Sequence, residues 1–69
     1  MAATRKLYVE IAADVRMALE VTDDPGERAA MAMLTRRLAA TLKQDNPRFD
    51  RVRFYRAATL DDDGRPAGD

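Results

Sequence analysis

The segment Val21-Thr22-Asp23-Asp24-Pro25-Gly26-Glu27 constrains this chain more than any other stretch. It stops one apolar pattern and starts another. Asp24 suits a helix N-cap. Pro25 suits the first helical position, where its missing N–H would have had no partner. Glu27 stands three residues after the cap, as in a capping box. Asp in place of Ser or Thr makes that box imperfect, and Gly26 weakens the first turn. So short a link makes the flanking helices antiparallel neighbours.

The spacing before the link predicts a helix from Thr4 to Val21. At about 100° per residue, Leu7, Tyr8, Ile11, Ala12, Val15, Ala18 and Leu19 share one arc. Glu10, Asp14, Arg16 and Glu20 take the other side, where Val9 and Met17 are apolar exceptions. Thr4 can cap the start, but Arg5 and Lys6 then face the positive end of the helix dipole, so the first turn is expected to fray.

The second helix is expected from Pro25 to Gln44. Met31, Leu34, Leu38 and Leu42 recur at steps of three and four and form its packing stripe. A weaker strip holds Ala29, Ala32, Met33 and Ala40. Asp45-Asn46-Pro47 ends this helix, because a residue before proline avoids helical backbone angles. After the turn Pro47-Arg48-Phe49, Asp50 can cap a short third helix from Arg51 to Thr59. Phe49 before the cap and Phe54 after it have hydrophobic-staple spacing, and together they would close the open end of the hairpin.

The resulting expectation is an all-α fold: an antiparallel helical hairpin with a short third helix over one end. Leu7, Ile11, Val15, Leu19, Leu34, Leu38, Leu42 and Phe54 form the expected core. Residues 1–60 make a single helical domain. Residues 61–69, Asp-rich with Gly and Pro and without an apolar anchor, read as a disordered acidic tail.

Composition narrows the chemistry. The 69 residues include no Cys, His, Trp or Ser. That excludes a disulfide framework, a Cys/His zinc site and a Ser or Cys nucleophile. No apolar run approaches the roughly 18 residues of a membrane span, and Met1 to Lys6 lacks the apolar stretch of a secretory signal. The chain therefore reads as cytoplasmic, with no membrane association and no cofactor. Catalysis is not expected. Asp24, Glu27, Asp45 and Asp50 sit at helix ends, and Glu10, Asp14 and Glu20 lie on a solvated face, so no pair of carboxylates is isolated in an apolar setting. Asp61 and Asp63 before Gly64 echo a calcium loop, but position one would be Thr59 and no residue supplies the twelfth ligand.

Charge is distributed unevenly. Twelve basic residues balance twelve acidic ones. Within that balance, Arg48, Arg51, Arg53 and Arg56 oppose only Asp50, and an acidic segment follows. Interleaved with Phe49, Phe54 and Tyr55, these arginines make nucleic-acid binding the alternative function: Arg would meet phosphate or guanine, and an exposed Tyr would stack. Against it stand the neutrality of the whole chain and the acidic segment, which competes for the same arginines.

The run Asp45-Asn46-Pro47-Arg48-Phe49-Asp50-Arg51-Val52-Arg53-Phe54, preceded by Leu38, Ala39, Ala40 and Leu42 and followed by Ala57 and Ala58, resembles the C-terminal portion of short uncharacterised proteins from actinobacteria and mycobacteriophages. The excess of Arg over Lys and the abundance of Ala read as the codon bias of a GC-rich genome, in keeping with that origin. The resemblance implies origin and no particular activity.

So small a domain, lacking staples, leaves helix flanks uncovered. The expected function is protein interaction without catalysis, by docking of a helix face on the same chain as a homo-oligomer or on a host protein. Val9, Met17, Ala29, Met33 and Ala40 are the expected partner-binding residues.

Overall fold

In a computed structural model, described over residues 4–67, the chain is all-helical, with α1 at Arg5–Glu20, α2 at Pro25–Asp45 and α3 at Arg51–Ala57. Each helix starts at the cap its sequence supplies. The Thr4 hydroxyl accepts from Leu7 N–H, Asp24 Oδ2 from Glu27 N–H at 2.9 Å, and the Asp50 carboxylate from Arg53 N–H at 3.1 Å. Each bond satisfies one of the N–H groups that a helix start leaves without a partner. Asn46, extended before Pro47, ends α2.

Contacts at both ends set the relation of α1 to α2. The Arg28 guanidinium, in the first turn of α2, donates to the carbonyls of Leu19 and Thr22 at the end of α1. Past the other end of α2, Asn46 Nδ2 lies 3.5 Å from the Tyr8 hydroxyl near the start of α1. The two helices thus run side by side in opposite senses. α3 packs against both.

The core is built from small residues and aromatics. Ala12, Leu19, Ala32, Ala39, Phe49, Phe54, Tyr55, Ala58 and Leu60 are buried. Thr35 is buried too, and its hydroxyl donates to Met31 O at 2.8 Å, so a polar residue sits there without an unsatisfied group. Ala32, Thr35 and Ala39 form a low ridge on α2 that lets the aromatics approach. Phe49 meets Tyr8 edge-on at 4.8 Å and Phe54 at 5.3 Å between ring centres. The staple spacing therefore does place both phenylalanines at the junction of α1 and α3.

The expected core needs correction. Leu19 and Phe54 are buried, and Ile11, Val15, Leu38 and Leu42 are half-buried, but Leu7 is 43% exposed and Leu34 58% exposed. The reason is coverage: α3 lies on one side of the α1/α2 pair, and the stripe that includes Leu7 and Leu34 turns toward the other. Ala32, expected in a secondary strip, belongs to the core instead.

Residues 61–67 also depart from the expected disordered tail. Leu60 is buried and pairs with Pro66 in an isolated antiparallel bridge, and Asp61 N–H donates to Arg65 O at 2.9 Å. Arg36 from α2 donates to Gly64 O at 2.8 Å. Gly64 adopts φ +77°, and a Cβ there would lie 2.7 Å from Arg36 Cγ and 2.8 Å from Tyr55 Cζ, so glycine is required for the close approach. The segment turns back through backbone hydrogen bonds and one apolar anchor, Leu60, just before it. Residues 68–69 lie outside the described residues.

Candidate interaction surfaces

Two surfaces stand out, on opposite sides of the α1/α2 pair. The first is a groove of about 440 Å³ between α1 and α3, with Val9 and Ala12 on its α1 wall, Ala57 on its α3 wall and Phe49 and Phe54 at its base. Arg5, Arg48 and Arg53 ring it, and no described carboxylate forms an ion pair with any of them. Asp50 also borders the groove, its carboxylate engaged in capping α3.

The four arginines of the nucleic-acid alternative are therefore divided. Arg48 and Arg53 share the groove, joined by Arg5 from the other end of the sequence. Arg51 is exposed outside it. Arg56 is held by the acidic segment: its Nε donates to Asp62 Oδ1 at 2.8 Å and its Nη2 to Asp62 Oδ2 at 3.0 Å. That forked hydrogen bond, and after it burial and charge in opposite senses, leaves the Asp62 carboxyl below its ordinary range, while the same hydrogen bond and charge raise the Arg56 guanidinium. Tyr55, expected to be available for stacking, is buried against Gly64 and the core.

Other cations serve the backbone. Arg28, Arg36 and Lys43 donate to the carbonyls of Leu19 and Thr22, of Gly64, and of Phe49 respectively. Asp61, the candidate calcium ligand, accepts from the backbone N–H of Asp63 and Arg65 at 2.9 and 3.0 Å, which makes it a turn-forming group. Among the described residues, no cluster of acidic side chains could hold a metal ion, and no helix is long and apolar enough to cross a membrane.

The second surface lies on the face of α1 and α2 away from α3. Groove contacts fix which side of each helix α3 occupies: Val9 and Ala12 face it on α1, and Arg36 reaches the returning segment from α2. Continuing round each helix at about 100° per residue, Leu7, Ile11 and Ala18 fall on the opposite flank of α1, and Met31, Leu34 and Leu38 on the opposite flank of α2. Leu7 and Leu34 are exposed large aliphatics, and the other four are half-buried.

The expected partner-binding residues do not meet in one place. Val9, 58% exposed, borders the arginine groove. Met17, 60% exposed, lies about 80° farther round α1 and about 12 Å along it. Ala29, Met33 and Ala40 form one exposed strip on α2, on the flank of Arg36. Sequence periodicity missed Leu7 and Leu34 as surface residues because it assigns a stripe to the interior without showing what covers it.

No protein-family model, curated protein or solved structure matches the chain.

Proposed function

We propose that this chain is a small non-enzymatic docking module that works by presenting a helix face to a protein partner. One observation carries the reading: Leu7 and Leu34 stand exposed on the same side of a helix pair, beside half-buried Ile11, Met31 and Leu38. Aliphatic side chains left open along one face of a small domain mark an interaction site, whereas a single exposed residue such as Met17 needs no such explanation. The D-N-P-R-F-D segment supports an origin in an actinobacteriophage or its actinobacterial host, and a host or phage protein is then a natural source of partners.

The test is photo-crosslinking in cells with a crosslinking amino acid at position 34, against position 16 on the polar side of α1. Adducts specific to position 34 are expected. Equal, negligible labelling at both positions would remove the docking reading.

A second reading, a DNA-binding accessory role, draws support from three guanidinium groups around one groove that form no ion pair among the described residues. The double variant Arg48→Ala plus Arg53→Ala should then abolish a gel shift of mixed duplexes at low salt. Absence of any shift by the natural chain at micromolar protein would end it.

A further inference from the structure

We infer that the partner of the open α1/α2 face is a second copy of this chain, related to the first by a two-fold axis parallel to the helices. In this arrangement α1 of each copy lies across α2 of the other. The inference rests on the docking reading above and specifies its occupant.

Three observations lead there. The first is shape. The protein measures 36 × 18 × 15 Å, and its short dimension leaves little depth behind the ridge of Ala32, Thr35 and Ala39. A second layer of helices at the usual 8–10 Å spacing would enclose Ile11, Met31 and Leu38 as a helical bundle does. The second is area. A compact 7.7 kDa monomer is expected to expose about 4300 Å². This chain exposes 5021 Å². A standard interface takes roughly 800 Å² from each partner, and the elongated shape leaves that much surface along the length of the chain.

The third is charge, and it selects the axis. Beyond Leu7 and Ala18, the open-side rim of α1 carries Glu10 and Asp14. Beyond Leu34, the open-side rim of α2 carries Arg37 at mid-height, and Glu27 lies in line with Leu34 two turns toward the N-terminus, at the end of the face. The contacts of Arg28 with Leu19 and of Asn46 with Tyr8 set the register of the pair, and they bring Asp14 and Arg37 to about the same height. An axis along the helices sets the acidic rim of one copy over Arg37 of the other, twice by symmetry. An axis across the helices would stack Glu10 and Asp14 on their own copies, which like-charge repulsion disfavours. With a formal net charge of zero, the chains meet without overall repulsion.

Sedimentation equilibrium of the purified full chain from micromolar to millimolar concentration tests this. Twice the chain mass is expected at the upper end. Leu34→Asp should give a single-chain mass throughout while circular dichroism stays helical, because Leu34 supports little of the monomer's own core. Asp14→Arg and Arg37→Asp should each weaken association by roughly tenfold, as expected for disrupting two symmetric ion pairs. The double variant Asp14→Arg plus Arg37→Asp should regain most of that loss.

A single-chain mass for the natural sequence at millimolar concentration would overturn the second copy. If position 34 still crosslinks to another protein in cells, the docking reading stands without it. Tighter association of Asp14→Arg alone would overturn the proposed axis.

Discussion

The two sides of the α1/α2 pair use apolar residues in opposite ways. On the side that α3 covers, α2 presents Ala32, Thr35 and Ala39, and α1 presents Ala12. These are small, and the space they leave is filled by Phe49, Phe54 and Tyr55. On the uncovered side stand Leu7, Met31, Leu34 and Leu38, larger and individually more hydrophobic, yet exposed or half-buried. Burial follows where a third element has surface to offer, and a ridge of alanines next to aromatics makes a denser contact than a row of leucines with nothing above it. Within one 69-residue chain, coverage by a third element therefore separates internal packing from surface available for association.

Substituting the same residue type on the two sides puts the comparison to its hardest test. Leu19 is 1% exposed and Leu34 is 58% exposed. Leu19→Ala should lower the unfolding free energy by about 2–5 kcal/mol, a large share of what so small a domain possesses. Leu34→Ala, measured by urea unfolding at concentrations where the chain is a single copy, should change it by less than about 1 kcal/mol. Equal losses would mean that the open side is as much a part of the monomer core as the covered one.

A smaller effect should follow at Gly64, where the covered side meets the returning segment. Gly64→Ala forces a side chain into the left-handed region and against Arg36 and Tyr55. A loss of about 1–3 kcal/mol is expected, read as a fall in thermal midpoint. An unchanged midpoint would show that the segment contributes nothing to the packing of Tyr55.

The smallest effect concerns Asp62. Because Arg56 holds its carboxyl below the ordinary range, the pair stabilises the folded chain above the unfolded-state carboxylate pKa, and that contribution fades as pH falls through the folded-state value. Both side chains are exposed, so the change in stability should be slight. Carboxyl-carbon NMR titration is the sensitive measurement: Asp62 should titrate below an ordinary Asp and return to the ordinary value in Arg56→Gln. The same low value in that variant would assign the shift to the turn.

Much of the secondary structure was legible in the sequence because it is written locally. Thr4, Asp24 with Pro25, and Asp50 mark helix starts by the hydrogen bonds their side chains accept, and Asn46 before Pro47 marks a stop. What escaped is non-local. Whether Leu34 is inside depends on which side α3 takes, and α3 is placed by contacts with residues distant in sequence. Ala32, Thr35 and Ala39 carry a weak hydropathy signal, so periodicity passed over the ridge that the core is built on. The return of residues 61–67 depends on Arg36 reaching a carbonyl 28 positions later, which no local pattern announces. Of the surface features, competition between the acidic segment and the arginines could be read from charge order, and Arg56 with Asp62 realises it. The joining of Arg5 to Arg48 and Arg53 could not, since it requires α1 and α3 to be neighbours.

The guanidinium of Arg28 donates to the carbonyl of Leu19 in the last turn of α1 and to that of Thr22 just past it, beside Thr22 itself, whose hydroxyl and N–H donate to Ala18 O and Leu19 O. Because the guanidinium belongs to the following helix, the end of α1 is finished only in part by its own segment. Excised as a peptide, α1 should unwind from that end, and a cut anywhere in Val21–Asp24 would separate a helix from its terminator even with both fragments present in one tube. Any unit able to stand by itself must therefore keep the two helices continuous.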